Sequence, residues 1–307
     1  MKGSRHQGAA LLLLRDGLMD VRAVVMGLTF ALIWSSAFTS ARIIVEAAPP
    51  LYSLSARFLL SGLIGISIAL ALGQRFNLTR NQWRAVVIFG LCQNAIYLGL
   101  NFVAMQTIEA SFAAIIASTM PLLVALANWT LFKERLPLVG IAGMIAGFAG
   151  VALIMAQRFG GGADPYGIVL CLIAAVALTA ATLTVKSASS DGGNLLMIVG
   201  LQMIVGSVAL LFPAMAFETL TVDWTTPFIL AFVYTTLMPG LAATLIWFLL
   251  VGRIGPTRAA TYHFLNPVFG VVIAYLLLSE SLSWIDALGV VIIAGGILAV
   301  QRARIAA

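Results

Sequence analysis

The side chains able to do chemistry in this chain are embedded in long apolar runs, and they fall into four groups. "CQNAIYLGLN" sets Gln93, Asn94, Tyr97 and Asn101 within a wedge of about 100° on an α-helix. "FALIWSSAF" spaces Phe30, Trp34 and Phe38 four residues apart, a continuous aromatic stripe. "TYHFLNP" carries Tyr262 and His263, the latter the only histidine beyond the first twenty residues. "YTTLMPG" puts Tyr234 about one turn ahead of Pro239 and Gly240, where a missing N–H frees helix carbonyls. Amides and phenols hydrogen-bond a solute, and rings stack on an aromatic or cationic one. None of these groups pairs a nucleophile with a base.

The absences narrow the chemistry further. All eleven carboxylates lie at the ends of apolar runs or in connectors, so no acid–base pair is buried for a membrane-embedded enzyme. The two cysteines, Cys92 and Cys171, sit inside apolar runs and suggest neither a disulfide framework nor a metal site. We expect no metal, no cofactor and no enzymatic activity. A proton-coupled antiporter commonly hides a carboxylate near the membrane midplane; lacking one, this chain is expected to be facilitative, with coupling through His263 as the alternative.

The elements that hold these groups are transmembrane helices. Hydrophobic residues make up 62% and charged residues 9% of the 307, with mean hydropathy +1.07, whereas soluble domains are about a quarter charged. Unalternated apolar runs exclude a β-barrel. Ten runs of spanning length fall at about 21–45, 51–72, 83–105, 109–131, 136–157, 165–187, 193–216, 226–250, 257–279 and 283–302. With ten spans, fourteen of the seventeen lysines and arginines fall on one side and three on the other, which predicts both termini in the cytoplasm. The positive charge therefore orients the chain and implies no nucleic-acid partner. Residues 1–20 read as a cytoplasmic tail and 303–307 as another.

The chain also repeats. A shift of 146 residues lays "PLLVALANWTLFKERL" on "PVFGVVIAYLLLSESL", matching Pro121 to Pro267, Glu134 to Glu280, Gly143 to Gly289 and Gly150 to Gly296. The halves, 21–157 and 165–302, hold five helices each. Five is odd, so the second half enters the membrane from the opposite side. That explains why "FKERL" keeps its positive charges and "LSESL" drops them. The expected fold is an all-α polytopic membrane protein, ten helices in two inverted five-helix repeats around a central cavity, the architecture of alternating access.

These motifs, with the early tryptophan of "LIWSSAFTSAR", resemble the drug/metabolite transporter superfamily and, within it, EamA-type exporters. The resemblance spans about residues 20–303 and is nearest to bacterial aromatic amino-acid exporters. It implies a monomeric ten-helix basket in the bacterial inner membrane, exporting amino acids, related metabolites or toxic organic cations.

Two readings stay open for each group. The helix-3 amides either bond neighbouring helices or wall a cavity. The aromatic stripe either packs or stacks on solute. His263 is either a satisfied core residue or a solute contact. Glu134 and Glu280 either serve the N-terminal dipole of the following helix or gate. The expected solute contacts are Trp34, Phe38, Gln93, Asn94, Tyr97, Asn101, Tyr234, Tyr262 and His263, with Pro121, Pro239, Gly240 and Pro267 as hinges. The expected partners are a small-molecule solute, an amino acid or related metabolite, and membrane lipid. A drug-like cation is the competing solute; a flippase or an embedded enzyme is the competing class.

Overall fold

A computed structural model describes residues 20–131, 133, 136–160, 164–185, 194–254, 259 and 261–306. Among them there is no strand, and ten helices follow in order: α1 Val21–Ala47, α2 Pro50–Ala71, α3 Arg80–Ala104, α4 Ala110–Thr130, α5 Leu138–Gly160, α6 Pro165–Val185, α7 Leu195–Phe217, α8 Thr226–Ile254, α9 Tyr262–Leu278 and α10 Trp284–Ala306. Nine are long and apolar enough to cross a membrane, and α9 is a shorter apolar helix. The sequence expects α9 to run over 257–279, but residues 261–265 are tighter 3₁₀ helix and α-geometry begins only at Asn266, just before Pro267. Of the expected 1–20 tail only Asp20 is described, as the N-cap of α1.

Equivalent helices of the two halves pack against each other, and they do so antiparallel. A Cβ added to Gly143 of α5 would stand 2.9 Å from the Gly296 carbonyl of α10, and one added to Gly150 would stand 3.0 Å from the Gly289 carbonyl. These two contacts exchange under the 146-residue shift, as a two-fold axis in the membrane plane requires. Small residues let backbones approach this closely where lipid offers no hydrophobic drive for helix association. The α2–α7 pair behaves alike, with Gly62 against the Gly200 carbonyl and Ser55 Oγ donating to the Ser207 carbonyl at 2.9 Å.

The local backbone obeys the same shift. Residues Gly90–Tyr97 of α3 and Thr236–Ala243 of α8 are both π-helical, a wide turn often found at functional sites. Among the described residues, the two non-glycine residues with left-handed backbone, Lys133 (φ 53°) and Ser279 (φ 54°), are also equivalent; the conformation costs about 1–2 kcal/mol, and each precedes the motif glutamate. Glu280 is thereby thrown back across the repeat boundary. Its Oε1 accepts from Ala110 N at 2.8 Å and its Oε2 from Ser111 N at 3.0 Å, capping α4.

This corrects the expectation that Glu280 serves the helix after it. The α10 N-terminus is served instead by Asp286, whose Oδ2 accepts from Ser283 N, and by Ser283 Oγ, which accepts from Asp286 N. Glu134 lies outside the described residues. A second pair of caps follows the same logic: Glu218 accepts from Leu51 N and Tyr52 N at the start of α2, and Gln74 accepts from Met197 N at the start of α7.

Candidate functional site: a cavity closed on one side

The bundle encloses a cavity of about 180 Å³. Helices running away from the α1 N-terminus contribute their early or middle residues to its wall, such as Phe30, Gln93 and His263. Those running back contribute late ones, such as Asn128, Thr182, Val251 and Gln301. The cavity therefore occupies the half of the bundle that holds the start of α1 and the end of α10.

One wall is aromatic. Phe30 and Trp34 are neighbours on α1 because four residues make about one turn, and their ring centroids lie 5.6 Å apart. Trp247 of α8 meets Phe30 at 4.8 Å. His263 of α9 stands edge-on to both, 5.5 Å from Phe30 and 5.0 Å from Trp247. Phe38 and Tyr97 close the wall toward the middle of the bundle.

The opposite chemistry comes from amides and broken helices. Asn266 Nδ2 lies 2.9 Å from His263 Nδ1, while the buried Asn266 Oδ1 finds no protein partner. Gln93, Asn128 and Gln301 line the cavity, and none of the three makes a side-chain hydrogen bond among the described residues. The α4 helix breaks at Ser118–Thr119 and α9 changes from 3₁₀ to α at Leu265–Asn266, each just before its proline. Proline has no N–H for the carbonyl four residues back. On α4 this takes the α-helical donor from the Ala117 carbonyl, whereas on α9 the 3₁₀ turn through Leu265 pairs the His263 carbonyl with Asn266 N; Ala117 and His263 are equivalent positions that both line the cavity. Among the described residues, no charged side chain lines it.

Of the expected solute contacts, the structure brings Trp34, Phe38, Gln93, Tyr97 and His263 together around this cavity, with Pro121 among the lining residues. Four others stand elsewhere. Asn94 Nδ2 donates to the Gln202 carbonyl at 3.0 Å, wedged against Gly206 of α7. Asn101 Nδ2 donates to the Tyr97 carbonyl, and its Oδ1 accepts from Cys171 Sγ at 3.4 Å. Tyr234 is 36% exposed on the outside of α8, its hydroxyl 2.6 Å from Ser36 Oγ. The Tyr262 ring packs on Gly27, where an added Cβ would come within 2.4 Å of it. The wedge computed at about 100° per residue fails because Gly90–Tyr97 is π-helical, with more residues per turn.

Among the expected hinges, Pro239, Gly240 and Pro267 also lie off the cavity wall. Gly240 packs against Ser61 of α2, whose Oγ donates to the Thr236 carbonyl at 2.8 Å. Pro267 is buried in the first turn of the α-helical part of α9. From α8 the cavity instead receives Thr244, Trp247, Phe248 and Val251, spaced i, i+3, i+4, i+7 on one face. Pro121, Val124 and Asn128 have similar spacing on α4, so extending a helical face from Pro121 would have found Val124 and Asn128. Gln301 carries no such signal.

The other half of the bundle is sealed. Ile44, Leu54, Phe58, Phe102, Met105 and Phe112 are all at most 2% exposed there. The Arg42 guanidinium donates to the Met105 and Ile108 carbonyls and pairs with Glu46 at 2.7 Å. Asp223 N donates to the Ala47 carbonyl at 2.8 Å, tying the α7–α8 connector to the end of α1.

The model of the EamA-like transporter family matches residues 21–156 and again 165–301. The chain belongs to that family. It is a membrane transporter, and relatives over most of its length carry matching descriptions. It is 30% identical over 276 residues to the uncharacterized inner membrane transporter YedA of Escherichia coli K12, covering 88% of this chain and 89% of that one. It is 27% identical over 267 residues to the uncharacterized transporter YvbV of Bacillus subtilis, covering 87% of each. The protein PecM of Dickeya dadantii is 24% identical over 270 residues, covering 88% of this chain and 89% of that one. A crystal structure with 21% identity and a TM-score of 0.67, covering 91% of this chain and 97% of the other, shares the fold of this EamA-family transporter.

Proposed function

We propose that this transporter exports amino acids with aromatic or other large apolar side chains, by facilitated alternating access, from the cytoplasm across a bacterial inner membrane. The observation that carries the reading is the mixed lining of the cavity: the clustered rings of Phe30, Trp34 and Trp247 together with the amides of Gln93, Asn128, Asn266 and Gln301. Rings stack on an apolar or aromatic side chain. The Ala117 carbonyl and the unpartnered Asn266 Oδ1 are acceptors suited to an ammonium group, as at the broken helices of other transporters. Among the described residues the lining holds no carboxylate that would trap a cation permanently.

Export requires the sealed half to open as the cavity half closes, and the breaks before Pro121 and Pro267 supply equivalent hinges on α4 and α9. The second reading, a drug-like cation, draws on the same aromatic wall and acceptors.

The test is counterflow in proteoliposomes without a pH gradient, using radiolabelled phenylalanine, leucine, glycine and phenethylamine. Phenylalanine and leucine should exchange at least tenfold faster than glycine. Exchange of phenethylamine alone would replace amino acids with organic cations, and uptake driven only by an imposed pH gradient would overturn the facilitative mechanism.

A further inference from the structure

The aromatic wall and the amides leave one ionised group of the bundle unused. Arg57 of α2 is 3% exposed, deep in the sealed half. Its guanidinium carbon lies 4.5 Å from the Phe58 ring centroid and 5.7 Å from that of Phe102. Its Nε is buried without a hydrogen-bond partner, and among the described residues the side chain makes no ion pair or hydrogen bond. An intramembrane cation left in this condition is costly, and such residues ordinarily mark a solute or ion path. Ring faces compensate a guanidinium only in part.

Arg57 is also missing from the duplicated scaffold. Glycine contacts, helix caps, π-turns and left-handed residues all recur in both halves. The stretch equivalent to Arg57 at shifts of 140–146, "MIVGLQM" from Met197 to Met203, holds no charge. A feature needed to build the bundle would be expected twice; this one occurs once. Arg42, on the same side of the bundle, satisfies its guanidinium on carbonyls and Glu46.

We propose that Arg57 is an anion-binding point on the outward half of the transport path, taking a carboxylate. The inference rests on the export reading. The sealed plug contains Phe58 and Phe102, so a solute leaving on that side must part the rings that cover the guanidinium. Opening exchanges a ring–cation contact for a bidentate charge-assisted pair, and the solute's own anionic end supplies it. A free inorganic anion offers the same chemistry, and the assay separates the two.

The experiment compares wild type, Arg57→Met and Arg57→Lys in the counterflow assay, with phenylalanine and its decarboxylated counterpart phenethylamine as probes. Each is run in chloride and in sulfate. R57M removes the charge while keeping an apolar side chain of similar length, and it should raise the unfolding temperature or leave it unchanged, since it removes an unpaired buried charge. Phenylalanine exchange should fall at least tenfold in R57M while phenethylamine exchange stays within twofold of wild type, and R57K should recover part of the loss.

A tenfold chloride dependence in wild type that R57M lacks would support the anion point with a free halide as its ligand. Equal loss of both probes, or a lowered unfolding temperature, would make Arg57 a packing residue and overturn the proposal. Wild-type levels of both in R57M would overturn it too. If wild type moves neither probe, the export reading itself fails, and that shows before any variant is compared.

Discussion

The two sides of the bundle are built from equivalent parts of both repeats, yet the side with the start of α1 holds the cavity and the opposite side is tightly packed. On the cavity side, four amides lack hydrogen-bond partners among the described residues for some or all of their polar atoms. On the sealed side, polar groups meet across helices: Glu280 caps α4, Glu218 caps α2, and Arg42 bonds two carbonyls of α3 and its connector. A symmetric chain need not adopt a symmetric state. What distinguishes the sides is packing: rings and amides stand around a space on one, while tightly packed aromatic and aliphatic side chains fill the other and leave Arg57 buried among them.

The largest effect is expected where the cavity meets solute. Trp247→Ala should lower counterflow of the preferred solute by about 30-fold, the equivalent of roughly 2 kcal/mol of lost binding. Trp34→Ala should act in the same direction, with unfolding temperature changed little in either. Normal transport in both would erase the functional difference between the halves.

Glu280→Gln probes the sealed side. A hydrogen bond to a charged group contributes about 1.5–3 kcal/mol, so loss of the charge on Glu280 should shift the population toward outward opening by about tenfold or more. In a background lacking Cys92 and Cys171, a cysteine placed at Phe112 should react faster with a membrane-impermeant thiol reagent from the outer face. Unchanged labelling would reduce the cap to a detail of helix 4.

The interface between the halves is sharpened by two adjacent glycines. A Cβ on Gly296 would come within 2.5 Å of the Gly143 carbonyl, whereas one on Gly295 meets nothing within 4 Å. Gly296→Ala should destabilise by about 1–3 kcal/mol, and Gly295→Ala should be neutral or slightly stabilising. Equal unfolding temperatures would refute the packing described for α5 and α10.

The smallest effect lies outside the spans. The guanidinium of Arg253, 2.6 Å from Asp20, holds the Asp20 carboxyl below the usual aspartate range. A depressed native pKa contributes stability that is present above the ordinary aspartate value and lost as pH falls through the native one. Asp20→Asn should therefore shift the unfolding temperature slightly at pH 7 and not at all in strong acid. Because both groups are exposed, salt should weaken the effect.

Much of this was legible from the chain. Span positions and the repeat follow from apolar length and from punctuation such as Pro121 and Pro267, which act locally. Trp34, Gln93, Tyr97 and His263 were reachable because a large polar or aromatic group inside hydrocarbon needs a reason to be there. Asn94 was misplaced beside Gln93 because adjacent residues point about 100° apart, and the packing of α7 decides which one sees the cavity. Arg57 gave no such signal, since nothing in "SLSARFLL" tells whether its side chain reaches water or a pair of rings.

The sequence alone determined the number of helices, their repetition and, through an odd count per half, the inversion, because each depends on residues close together in the chain. Only the tertiary structure decided which side is open, which amides are spent between helices, and which half's glutamate caps which helix. Those outcomes depend on contacts between residues more than a hundred positions apart, such as Glu280 with Ala110 and Asn94 with Gln202. Helix phase, altered here by the π-turns, sets those contacts, and one-dimensional spacing does not carry it.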